Sequence, residues 1–124
     1  MKTKFRRPSR QESLRKILAY ADQPKRFFVD AKYSNGKGCK CAVGVLFSPA
    51  QLRDISKRGL QGVSVKMLAH QIGVENIEFV TGLTLPELEF LQDANDDNLE
   101  LREQGMVISR KDAVRAVCHH LMAQ

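Results

Sequence analysis

A mainly α-helical single domain, or an α+β one with a single small β element, is the fold class this sequence predicts. Three observations carry that prediction. Five segments open on a Ser or Thr suited to cap a helix, namely Ser9, Ser48, Ser64, Thr84 and Ser109. Each is followed by apolar residues at helical spacing. The β-prone stretch at residues 27–33 is short and runs straight into a glycine-rich turn.

The elements follow in order. Ser9 and Glu12 have capping-box spacing, each side chain reaching the other's backbone N–H. Leu14, Ile17, Leu18 and Ala21 then share one face, and Pro24 ends the helix. Residues 27–33, FFVDAKY, lead into Ser34-Asn35-Gly36-Lys37-Gly38, a turn because Asn and Gly accept positive φ. A hairpin or extended segment is expected near 27–47. The apolar run at 41–47 reads equally as a buried strand or a short buried helix, since so few residues show no decisive period. Ser48-Pro49 sets an N-cap before a proline at the first helical position, and that helix passes through Leu52 and Ile55 to Gly59. Ser64 opens a helix with Val65, Leu68, Ala69 and Ile72 on one face and Gly73 as its stop. Thr84 and Glu87 form another capping box, with Pro86 in the first turn and Leu88, Leu91 and Ala94 facing the core. Asn95-Asp96-Asp97-Asn98 is expected to break that helix. Ser109 with Asp112 opens the last one, whose stripe is Val114, Val117, Cys118 and Leu121. The count is five helices.

The 124 residues suffice for one core without disulfides or metal, and 43% hydrophobic with 27% charged is an ordinary globular balance. Residues 1–10 are expected to be a flexible basic arm and 11–124 the globular domain. The apolar runs fall far short of the ~20 residues that a membrane span requires, and no apolar h-region follows the basic start. Three cysteines, Cys39, Cys41 and Cys118, do not make a secreted disulfide framework. A cytoplasmic protein with reduced thiols and no membrane partner is the expectation.

The net charge of +6 hides a split. Residues 1–66 hold 16 Lys and Arg against 4 Asp and Glu, whereas residues 67–124 hold 4 against 10. The plain reading is that the two halves fold against each other and partly neutralise. The alternative is that the basic half meets nucleic acid or an acidic protein. Lys2, Lys4, Arg6, Arg7, Arg10, Arg15, Lys16, Lys25 and Arg26 could line a phosphate track, with Phe5, Phe27, Phe28 and Tyr33 nearby for stacking.

Other constellations are weaker. Cys41 follows Lys40 past a glycine-rich turn, where a helix start would favour its thiolate. His70 as base and Asn95 or Asp96 as orienting group would complete a nucleophilic site, against the simpler reading of a small buried core thiol. Cys39, Cys41, Cys118, His119 and His120 lack zinc-ligand spacing, and Asp93, Asn95 and Asp97 start a calcium loop that lacks its glycine and its bidentate Glu. No metal and no cofactor are expected. Residues 65–74 look like the first helix of a helix-turn-helix, but the acidic Glu75-Asn76-Ile77-Glu78-Phe79 follows where a basic recognition helix should stand.

Gly38-x-x-Cys41-Ala42-x-Gly44-x-Leu46 resembles the "G-x-x-C-[AL]-x-G-x-L" core of a loose group of small phage and bacterial proteins. Gly82-Leu83-Thr84-Leu85-Pro86-Glu87-Leu88 with Asn95-Asp96, and the helix over 111–121, resemble its second and third parts. The resemblance spans roughly residues 30–121 and implies an organisation rather than an activity. It groups Cys41, Gly44, Asn95 and Asp96. The leading expectation is a phage or mobile-element interaction protein, a modulator of host defence or takeover. It would bind an acidic host protein or a nucleic-acid backbone through its basic half. A cysteine-dependent hydrolase or transferase is the alternative, and a structural partner in a larger assembly a third.

Overall fold

A computed structural model describes residues 7–29, 32–36, 38–96 and 109–124. Helix α1 (Arg10–Ala21) opens with the reciprocal Ser9–Glu12 capping box, and it buries Leu14, Ile17, Tyr20 and Ala21. Helix α2 (Pro49–Lys57) starts from a second such box, Ser48 with Gln51, and α3 (Val65–Ile72) from the Ser64 hydroxyl. Helix α5 (Leu85–Asp96) follows Thr84, whose backbone N–H donates to Glu87 at 2.9 Å, and α6 (Arg110–Met122) follows the Ser109 cap. All five helices foreseen from their caps are present, and the fold is mainly α.

A sixth helix, α4 (Val74–Thr81), occupies the acidic stretch for which no helix was expected. It has no side-chain cap. Gly73, at φ 98°, ends α3 and begins α4 with a single residue between them. Packing supplies what the missing cap does not. Ile77 is fully buried, and burial of an isoleucine contributes about 2 kcal/mol, more than a cap's ~1 kcal/mol.

Residues 41–47 resolve as a helical turn rather than a strand. The Val45 N–H donates to Cys41 O and the Leu46 N–H to Val43 O, around a 3₁₀ turn at Gly44–Leu46. All seven residues are buried. Ahead of them, the β element is only an extended lead-in. Lys40 bridges Phe28 in parallel and Ser34 antiparallel, and the described residues contain no longer ladder.

The core is continuous. Helix α6 packs between α1 and α5, α3 packs on α4 and α5, and the 3₁₀ turn rests on α1. Side chains tie the loops to this frame. Gln61 Oε1 accepts from the Tyr33 and Ser34 N–H groups, Gln92 Oε1 from the Val65 N–H, and the Tyr33 hydroxyl donates to Val63 O. Helix α5 is described as far as Asp96, so Asn95 and Asp96 are its last two described residues; Asp97 and Asn98 fall outside the described residues. Pro8 already lies against Gly82, so part of the expected arm joins the body, while residues 1–6 are not described.

Candidate functional site

Cys41, Asn95 and Asp96 do come together, as their shared motif suggests. The Ala42 N–H donates to Asn95 Oδ1 at 2.8 Å, and Asn95 Nδ2 donates to Val29 O at 2.9 Å and Asp96 Oδ1 at 2.7 Å. Asn95 is 1% exposed. It thus clamps the buried turn to the extended lead-in, and both ends of its amide are consumed by that work.

Cys41 sits in the hydrophobic core at 2% exposure, with the Gly44 N–H directed at its sulfur at 3.3 Å. Burial pushes its thiol up to about 12, and the negative charge of Asp96 adds to that rise. An attacking cysteine requires the reverse, a lowered pKa and access. His70 is exposed on α3, beside a hollow of about 490 Å³ lined by Ser64, Lys66, Met67, Val74 and Leu85, with Cys41 not among the lining residues. No hydrogen bond joins His70 to Cys41, Asn95 or Asp96 among the described residues. The arrangement suits a packed core thiol.

Two results are expected. In the folded protein at neutral pH, iodoacetamide leaves Cys41 unmodified, and labelling, read by mass spectrometry, appears only in denaturant. Rapid labelling of the native chain contradicts this. Stability also falls on the alkaline side. Burial holds Cys41 and Cys118 protonated up to about 12, against an ordinary 9.0. The unfolded chain therefore loses these protons first, and the stabilisation is full below about 9 and lost as pH rises towards about 12. Urea midpoints across that window measure it.

The remaining metal candidates are dispersed. Cys39 and Cys118 are buried free thiols, whereas His119 and His120 are exposed. Among the described residues no group of three or more His, Cys, Asp or Glu could hold a metal ion.

The basic residues divide into three sets. Lys2, Lys4 and Arg6 lie outside the described residues. Arg10 and Arg26 are committed internally, Arg10 Nε to Glu87 at 2.6 Å and Arg26 Nη1 to Gly38 O at 2.6 Å. Arg7, Arg15, Lys16 and Lys25 are exposed, Arg7 lying 6.0 Å over the Phe79 ring. The acid at the end of α1 is already engaged, since Arg115 pairs with both Asp22 and Asp112. Of the aromatics proposed for stacking, Phe28 and Tyr33 are buried in the core, Phe5 is not described, and Phe27 is 58% exposed beside Lys25 and Arg26.

Three further cations gather nearby that the sequence did not single out: Lys32, Lys40 and Arg53. Lys32 and Lys40 lie at the two ends of the 32–40 segment and Arg53 on α2, and the fold places all three around one hollow. Lys40 is held below the usual lysine range, first by burial and then by the positive charges of Lys16 and Arg26. Hydrogen bonds place this segment: the Lys40 N–H donates to the Tyr20 hydroxyl at 2.8 Å, one turn beyond Lys16 on α1, and Arg26 Nη1 donates to Gly38 O at 2.6 Å.

No helix among the described residues is long and apolar enough to cross a membrane. Set against family models, curated proteins and solved structures, the chain matches none.

Proposed function

We propose that this domain is a non-enzymatic binding protein of phage or mobile-element type. It engages the backbone of single-stranded nucleic acid without reading its sequence. The observation that carries this reading is the crowding of cations around Lys40 beside an exposed aromatic. The Lys40 backbone is held to Tyr20 one turn beyond Lys16, Arg26 reaches Gly38 O, Lys25 is exposed, and Phe27 is 58% exposed. Positive charge tracks a phosphate backbone and an aromatic stacks on bases of any identity, which is how sequence-tolerant strand binders work. Helix α4, placed where a recognition helix would stand, carries Glu75 and Glu78. That acidity favours backbone contact from α1 over groove reading by α4. Such a protein would modulate host defence or host takeover by occupying nucleic acid that host factors use. The enzyme reading draws no support from the buried, protonated Cys41.

Fluorescence anisotropy with a labelled oligothymidylate of about 20 nucleotides, longer than a typical single-strand site, tests the proposal. Replacing Arg15, Lys16 and Lys25 with Gln should weaken binding at least about tenfold and flatten its salt dependence by about two log units per decade. The same charge removed at exposed Lys57, Arg58 and Lys66 should do far less. Equal losses in both triples, or binding to poly-glutamate but not to the oligonucleotide, would overturn it.

A further inference from the structure

A hollow of about 630 Å³ opens between the 32–40 loop and α2. The described residues of this segment are tied by hydrogen bonds. The Asn35 N–H donates to Cys39 O at 3.0 Å, Asn35 Oδ1 accepts from the Cys39 N–H at 3.1 Å, and Gln61 anchors the Tyr33 and Ser34 N–H groups. On the opposite wall, Arg53 and Ser56 stand one turn apart on α2, with Leu52 behind them. Lys32, Lys40 and Arg53 are among the residues lining the space, and the described residues that line it include no Asp or Glu. None of the three cations forms an ion pair among the described residues. The neighbouring carboxylate, Asp54, is directed to Arg58 on the other side of the helix, at 3.8 Å. Three unneutralised cations around one concavity repel one another, and an anion bound between them removes that repulsion.

We infer that this hollow binds the phosphate end of a nucleotide, either free or at the terminus of a strand. The guanidinium of Arg53 supplies a fork matched to phosphate oxygens, while Lys32 and Lys40 supply point charges. Ser34 and Ser56 add hydroxyl donors at the rim. The volume lies within the ~300–1,000 Å³ of small-ligand sites, so an inorganic phosphate leaves most of it empty. Leu52 and Pro49 give the remainder an apolar wall against which a sugar or base can rest. This goes beyond strand binding by α1: Lys40 borders both surfaces, but Lys32 and Arg53 belong to the hollow alone.

The test is titration of the ¹⁵N-labelled full chain with ADP, with a 5′-phosphorylated oligothymidylate, and with the same strand lacking the 5′-phosphate. Shifts at Lys32, Ser34, Gly36 and Arg53 with ADP identify a free-nucleotide site. The same shifts with the phosphorylated strand alone identify an end-binding site, and both results support the inference. Lys32→Gln with Arg53→Gln, two exposed positions, should weaken the productive ligand at least tenfold, while Arg58→Gln leaves it unchanged. No shift at these residues with either phosphorylated ligand overturns the inference, as does equal binding of poly-glutamate. The strand lacking a 5′-phosphate separates the two readings: if it still binds through α1, only the hollow has failed.

Discussion

Asn95→Ala should lower stability by about 3 kcal/mol. The Asn95 amide accepts from the buried Ala42 N–H and donates to Val29 O. Removing it strands two backbone groups, each costing about 1–3 kcal/mol when left without a partner. Water cannot take over at Ala42, which is fully buried. Asn95→Asp separates the two ends of the clamp. It keeps the acceptor for Ala42 but, once ionised, cannot donate to Val29 and adds a charge beside Asp96. Burial and that neighbour raise the pKa of the new carboxyl above its unfolded value. The protonated form recovers the donor, so the variant's deficit is largest at neutral pH and shrinks as pH falls through the raised value. Urea midpoints at neutral and acidic pH check both statements. A variant of undiminished stability would instead suit a residue kept for chemistry, because an orienting group can be removed without loosening the fold.

Gly44→Ala should be comparably severe for a different reason. The glycine has no positive φ, so conformation is not the constraint. Space is. A Cβ at this position would lie 1.9 Å from Tyr33 O and 2.8 Å from its carbonyl carbon. That carbonyl cannot retreat. It accepts from the Cys41 N–H, the Tyr33 N–H is held by Gln61, and the Tyr33 hydroxyl is held by Val63 O. The expected loss is about 3 kcal/mol, the upper end for overpacking, and a large fraction of the ~5–15 kcal/mol that holds a domain together. Gly59→Ala is the contrast. Gly59 has φ +70° with nothing within 4 Å of an added Cβ, so strain alone applies, about 1 kcal/mol. Chemical denaturation should rank the two substitutions in that order.

Both positions belong to the Cys41-Ala42-x-Gly44 and Asn95-Asp96 motifs, and their geometry accounts for the pairing. A turn buried on all sides needs a glycine where another backbone touches it and a polar side chain to satisfy its N–H. Asn95 supplies the second from across the core. The resemblance grouped these residues as an expectation but did not say what they do, because an Asn near a helix end carries the same local signature whether its amide faces solvent or reaches across the core. The capped helices were legible because Ser9, Ser48, Ser64, Thr84 and Ser109 act within three residues of themselves. Helix α4 was not, since Gly73 caps nothing with a side chain and Ile77 acquires its role only by tertiary burial. The basic surface was half legible. Its sign could be read from composition, but the engagement of Arg10 by Glu87 spans 77 residues, and the grouping of Lys32, Lys40 and Arg53 depends on the fold.

We propose that binding resides in the cations and not in the thiol. The salt dependence of oligothymidylate binding tests it most directly. Engagement of Arg7, Arg15, Lys16 and Lys25 with four phosphates predicts a slope of about −3 in log affinity against log salt, a loss of roughly 50-fold between about 50 and 200 mM. An affinity that stays flat across that range, or no binding at the low-salt end, would contradict the account.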